Sequence, residues 1–215
     1  MTTLLFVRHG ATEANDIGYW QGWEDTCLTE TGLAQAQAVA RRIAHEFAPV
    51  AVYSSSLRRA LQTAEPIAQS TACPLIPHDG LREIHFGQVS GLTIAQFRER
   101  FPGLFEAWAD KMNLDFHWPG GESRRAFFTR VWGAVDEILA AHPGDETVVV
   151  VAHGGSLRAA LAYLLPDRFT NWWAYDLRNA SLTVVDVVAG VPSLRLLNDC
   201  AHLEAQPGPP APPPT

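Results

Sequence analysis

The chain has 215 residues, 47% of them hydrophobic and 18% charged, enough for one globular domain with a substantial core. Its formal net charge of −7 disfavours a general binder of nucleic acid or of anionic membrane, since either needs a basic surface, but a local cationic pocket for a small anion remains compatible. The three cysteines, Cys27, Cys73 and Cys200, are widely separated and odd in number, so neither a disulfide framework nor a C-x-x-C metal knuckle is expected. With no secretory leader pattern at the start and no apolar run of bilayer length, a cytoplasmic enzyme that does not enter membranes is the expectation.

In chain order, Leu4-Leu5-Phe6-Val7 is too short for a helix and reads as a strand buried on both faces of a parallel sheet, ending at Arg8-His9-Gly10. Ligands of open α/β sheets sit at that end of the strands. Thr12 and Asn15 are close enough to turn back towards such a ligand, although capping their own loop is the plainer role. Thr29 is the expected N-cap of a helix from Glu30 to Phe47, with Leu33, Ala36, Ala40, Ile43, Ala44 and Phe47 on its apolar face.

Pro49 stops that helix, Val50 to Tyr53 forms a second strand, and Ser54-Ser55-Ser56 marks the start of a helix carrying Arg58 and Arg59. The two arginines point in different directions, so one at most faces the site. A short strand, Leu75-Ile76-Pro77, precedes a glycine-punctuated loop in which Glu83 is the carboxylate of interest. Thr93 to Trp118 is aromatic-rich and mostly helical, interrupts the strand-helix alternation, and is expected to cap the site. After Pro119-Gly120-Gly121-Glu122-Ser123 a helix runs to about His142.

Val148 to Ala152 repeats the opening pattern, running straight into His153-Gly154-Gly155, and Ser156 is the expected cap of a helix through Leu165. Leu182 to Val188 and Leu194 to Leu197 read as an antiparallel hairpin. The proline-rich end, 206–215, reads as an extended tail outside a single domain spanning 1–205, with the cap insertion at about 93–120.

Two buried strands that each end in histidine-glycine can bring their imidazoles into one small volume. Such a volume suits phosphoryl transfer. A phosphate monoester repels nucleophiles unless its oxygens are neutralised, a task for Arg8, one of the paired helix arginines, His153 and helix-start amides. His9 is the nucleophile candidate because it directly follows an arginine at the strand end, and a neutral imidazole attacks phosphorus without first losing a proton, provided its other nitrogen donates to a backbone carbonyl. Glu83 can protonate the leaving alkoxide and then take a proton from water. This chemistry needs no metal and no cofactor, and the eight histidines show no H-x-x-x-H ligand pattern.

Arg8-His9-Gly10 with Thr12, Glu13 and Asn15, Gly22-Trp23-x-Asp25, Leu28-Thr29, the Ser-x-Leu-x-Arg-Ala-x-Gln-Thr segment, Glu83 and His153-Gly154-Gly155 together resemble the histidine phosphatase superfamily, in its phosphoglycerate mutase-like branch. The likeness extends over about residues 4 to 200. It implies a three-layer α/β/α sandwich with a mostly parallel sheet and phosphohistidine at His9. It also implies Glu83 as proton donor and Arg8, Arg59 and His153 around the phosphate, with Thr12, Asn15 and Gly154 as further phosphate contacts. Family members often form homodimers. The Glu83-Ile-His-Phe-Gly-x-x-x-Gly-Leu-Thr segment and the Pro119-Gly-Gly-Glu-Ser123 turn are similar to phosphatase members such as the α-ribazole phosphatase and fructose-2,6-bisphosphatase types. Mutases carry a longer basic insertion, whereas Ile84 to Trp118 holds only Arg98, Arg100 and Lys111 against four acids. The expectation is therefore a metal-independent phosphatase acting on a small-molecule phosphoester. A cofactor-dependent phosphoglycerate mutase stands second and a non-catalytic phospholigand-binding module third.

Overall fold

The computed structural model describes residues 1–165 and 171–204, so the proline-rich tail lies outside the described residues. Six strands form one mixed sheet: β1 (Thr2–Arg8), β2 (Pro49–Ser54), β3 (Leu75–Pro77), β4 (Glu146–Ala152), β5 (Leu182–Val188) and β6 (Val191–Asp199), in the order β3-β2-β4-β1-β5-β6. The first four in that order are parallel, β5 runs antiparallel to β1, and β6 antiparallel to β5. This is the α/β fold expected, with the terminal hairpin as its antiparallel edge.

Because successive strand residues point to opposite faces, β1 feeds two cores at once. Leu5 and Val7 pack with Val52, Val149 and Val151 against α2 (Glu30–Glu46) and α3 (Arg58–Thr71). Leu4 and Phe6 pack with Val148 and Val150 against α6 (Arg124–Ala141) and α7 (Gly154–Leu164). A strand covered on both sides has little use for polar residues, which is why Leu4 to Val7 of β1 and Val148 to Ala152 of β4 are continuous apolar runs. Among the described residues no helix is long and apolar enough to cross a membrane.

Three local expectations are corrected. In α2 the buried face is Gly32, Ala36, Val39, Ala40 and Ile43, while Leu33 and Ala44 are exposed. The close approach of Gly32 to the loop after His9 explains the rotation: a Cβ on Gly32 would lie 2.1 Å from the Ala11 carbonyl oxygen. Thr29 does cap the helix, accepting from Gly32 N at 3.1 Å. The serines before α3 do not cap it. Leu57 occupies the N-cap without a side-chain bond, and Asp25 takes the Arg58 N–H at 3.0 Å. In α7 the N-cap position belongs to His153, and Ser156 sits one turn inside with its hydroxyl accepting from His153 N at 3.1 Å.

The segment 93–120 is two short helices, α4 (Ile94–Arg100) and α5 (Pro102–Ala109), followed by turns. Pro102 divides them, since it cannot donate to a continuing helix. Phe97 and Trp108 of these helices, with Phe86 and Trp118 from the loops on either side, close around Trp20, whose ring lies 5.1 to 5.4 Å from theirs. A small helix α1 (Glu13–Ile17) follows β1, and α8 (Ala201–Glu204) packs against α2.

Candidate active site

The register of β1 on β4 pairs Arg8 with Ala152, which sets His9 beside His153 just past the strand ends. Their ring centroids are 5.1 Å apart, and both side chains are almost completely buried. His9 Nδ1 donates to the carbonyl of the next residue, Gly10, at 2.8 Å. A carbonyl can only accept, so the proton stays on Nδ1 and the lone pair on Nε2 is presented. Burial, then Arg59 and Arg8, hold the His9 pKa well below its ordinary 6.5, keeping the ring neutral.

His153 differs from expectation in charge. Its Nδ1 accepts from Arg59 Nε at 3.2 Å, leaving Nε2 to donate to Ser55 Oγ at 2.7 Å. Burial and the nearby Arg59 push its pKa well below 6.5. A neutral His153 adds no positive field. That field comes from guanidiniums.

Arg59, on the first turn of α3, is the arginine that faces inward, and Arg58 is exposed. Its head is gripped by the carbonyls of Gly22 and Glu24, each at 2.8 Å, besides His153. Burial lowers its pKa to about 10, so it remains charged at neutral pH. Arg8 donates through Nη1 to Leu177 O at 2.5 Å, while its buried Nε finds no acceptor among the described residues. That nitrogen lies near Gly154, where a Cβ would stand 3.7 Å from it. Burial also lowers the Arg8 pKa, a cost that Glu83 partly offsets.

Glu83 reaches α7 from the facing loop, its Oε2 accepting from Gly155 N at 2.9 Å and its Oε1 from Ile84 N at 3.0 Å. A Cβ at Gly155 would lie 2.2 Å from Oε1, so only glycine permits this approach. The backbone of Glu83 is clamped from behind: its carbonyl accepts from Trp23 Nε1 at 2.7 Å and from Arg130 Nη2 at 3.2 Å, and Arg130 is in turn paired with Glu122 at 2.7 Å.

Arg8, His9, Arg59 and Glu83 line one cleft of about 320 Å³, together with Asn15, Gly154 and Gly155, whereas the buried His153 is not on its surface. Thr12 is not on that surface. It is fully buried as the N-cap of α1, where it and Asn15 exchange capping bonds, so the plainer loop-capping role describes its placement. The outer cleft is walled by aromatics from both sides and by Lys111, Arg124 and Arg158. Among the described residues no group of three His, Cys, Asp or Glu side chains could hold a metal ion.

Two supporting residues escape a reading of motifs alone. Arg130 and Asn179 act through bonds to distant backbone, which leave no local pattern, while Ser55, the serine of the Ser-x-Leu-x-Arg segment, meets the His153 ring. Gly155 was legible in part, as the second glycine of His153-Gly154-Gly155.

The site and fold together define a phosphate-handling α/β enzyme, and comparison with known proteins places it. Residues 4–200 match the family model of the histidine phosphatase superfamily (branch 1), and the chain belongs to that family. It is similar to a metal-independent phosphoserine phosphatase of Arabidopsis thaliana, with 39% identity over 95% of this chain and 84% of that protein. A glucosyl-3-phosphoglycerate phosphatase of Mycobacterium tuberculosis is 38% identical over 84% of this chain and 83% of its own. The solved structure of YhfR from Bacillus stearothermophilus superposes with a TM-score of 0.84 at 30% identity, covering 94% of this chain and all, 100%, of that one. The two of these that are named for an activity are both phosphatases, not mutases.

Proposed function

We propose that the protein is a metal-independent phosphatase that hydrolyses a small-molecule phosphate monoester through phosphohistidine at His9. The observation that carries the reading is the His9 Nδ1 bond to Gly10 O, which turns a neutral Nε2 lone pair into a cleft where the buried Arg8 Nε has no acceptor among the described residues. A phosphoryl oxygen supplies that acceptor.

In the first step the P–Nε2 bond forms as the P–O ester bond breaks, and the Glu83 carboxyl gives its proton to the departing alkoxide. In the second, the Glu83 carboxylate takes a proton from water as that water attacks phosphorus and Nε2 leaves. Arg8 and Arg59 carry the added charge on the phosphoryl oxygens in both steps. Asn15 and the Gly154 end of α7 complete the phosphate cradle. His153 acts as a neutral wedge that keeps Arg59 aligned.

Residues 1–205 work as one catalytic unit, with 93–120 as the cap that walls the cleft. The substrate carries a second anionic group. Lys111 and Arg158 support this, because both line the cleft and neither forms an ion pair among the described residues. Phosphoserine and glucosyl-3-phosphoglycerate, the substrates named for the relatives, are both phosphate esters of carboxylic acids. Three free, separated thiols suit a reducing compartment such as the cytoplasm.

The test is phosphate release in chelator from a panel holding phosphoserine, phosphoglycerates, glucosyl-3-phosphoglycerate, sugar phosphates and α-ribazole phosphate. Carboxylate-bearing esters are expected to lead, and His9→Ala to abolish release. Undiminished release by His9→Ala overturns the mechanism.

A further inference from the structure

We propose that Asn179, which lies in none of the motifs that define the site, is a positioning residue whose single amide group sets both the tautomer of His9 and the orientation of Asn15. The inference rests on the phosphohistidine reading and adds to it the device that prepares the nucleophile and its phosphate donor together.

Asn179 Nδ2 lies 2.9 Å from His9 O, 3.2 Å from Gly10 O and 3.1 Å from Asn15 Oδ1. Two hydrogens therefore serve three acceptors, one of them shared. Gly10 O is the carbonyl that receives His9 Nδ1–H at 2.8 Å. A peptide carbonyl in a loop is free to tilt unless something else holds it, and Asn179 supplies the second donor that keeps this one aimed at the imidazole.

The effect on Asn15 follows from counting donors. Asn15 Oδ1 accepts from Thr12 N at 3.1 Å and Thr12 Oγ1 at 3.0 Å, and Asn179 Nδ2 is a third donor on the same oxygen. A carboxamide has one accepting and one donating end. With the oxygen end saturated inward, the Nδ2 end is the one left for the cleft that Asn15 lines. A flipped amide would oppose its oxygen to phosphate and its NH2 to three donors.

Asn179 is itself held rigidly. The neighbouring Ala180 N donates to Arg8 O at 2.9 Å and to His9 O at 3.2 Å, and Ala180 O is bonded by His202 Nε2 at 2.9 Å. Ala180 is fully buried at φ 54°, a left-handed conformation that a non-glycine residue keeps only when its surroundings demand it. These contacts are the antiparallel continuation of β5 past the end of β1, where Arg8 N reaches Ser181 O at 3.4 Å.

Long-range ¹H–¹⁵N spectra of the imidazoles report the tautomer directly, with His9 identified by its disappearance in His9→Ala. The native enzyme is expected to show one neutral Nδ1–H form for His9. Asn179→Ala is expected to show a mixture, a kcat lower by roughly a hundredfold, as a misplaced catalytic group gives, and an affinity for orthovanadate lower by about tenfold, the loss of roughly one neutral hydrogen bond. A folded Asn179→Ala protein with a single Nδ1–H form and native kcat overturns the proposal. Should that variant fail to fold, Asn179→Asp keeps the volume but sets a carboxylate against three acceptors. Its kcat/KM relative to the native enzyme is expected to rise as acid protonates Asp and restores a donor, and a ratio flat with pH overturns the proposal. The tautomer spectrum needs no turnover, so an enzyme inactive on every ester would remove the phosphatase reading while leaving this one to stand or fall by the spectrum.

Discussion

The imidazoles of His9 and His153 meet at 5.1 Å between centroids, and each is held neutral by burial and by the Arg59 guanidinium. Their depressed pKa values link folding to pH. The unfolded chain binds protons at both rings below about 6.5, and the folded chain does not until lower pH, so the stability they contribute is complete above 6.5 and falls as pH drops towards their folded values. The loss is about 1.4 kcal/mol per pH unit for each ring. Urea midpoints measured from pH 7.5 to 5 should fall accordingly, and His9→Gln should flatten the slope. Because His9 is already neutral at pH 6.5, kcat/KM should show no acid limb near the ordinary histidine value.

Glu83→Gln separates proton donation from phosphate capture. Gln can still accept from Gly155 N but cannot protonate an alkoxide, so alkyl phosphates should lose about 10²- to 10⁴-fold in kcat. Aryl esters such as p-nitrophenyl phosphate, whose leaving group needs no proton, should lose far less. Equal losses on both would remove Glu83 as the acid.

Gly155→Ala tests the close approach directly. The methyl would lie 2.2 Å from Glu83 Oε1 and must displace the carboxylate, while alanine in the first turn of α7 leaves the helix at least as favourable. Thermal midpoints should change little and kcat should fall by at least tenfold. An unimpaired kcat would show that Glu83 does not need its present position.

Lys111 titrates close to neutrality: burial, with Arg124 nearby, lowers its pKa from 10.5 to about 7. The ammonium is present below that pH and lost above it. The preference for carboxylate-bearing over neutral phosphate esters, taken as the ratio of kcat/KM, should therefore decline as pH rises through about 7. Lys111→Met should make the ratio independent of pH, with little effect on a neutral ester.

Arg59→Lys should be nearly inactive although charge is conserved. Lysine has no planar fork to engage Gly22 O, Glu24 O and His153 Nδ1 together, and three buried acceptors would compete for one ammonium. A loss in kcat of about 10² or more is expected, accompanied by a lower thermal midpoint. Activity within a factor of about three of native would contradict the role given to Arg59.

Much of the molecule was legible in the chain itself. Leu4 to Val7 and Val148 to Ala152 could be only strands covered on both sides, because their unbroken apolar runs leave no face for water, and the histidine-glycine pairs at their ends marked the cleft. The Thr29 cap followed from a local pattern of the same kind, whereas the choice of Arg59 over Arg58 came from the family resemblance. Tertiary structure alone decided that His153 is neutral, since its charge depends on burial and on a guanidinium from another element. It alone turned Leu33 outward, through the contact of Gly32 with Ala11 O. It alone brought Asn179 to the nucleophile, because the antiparallel return of β5 beside β1 joins positions that no sequence spacing relates. Periodicity and caps are properties of neighbours along the chain, while charge state, ring tautomer and amide orientation are set by whatever the fold packs against them.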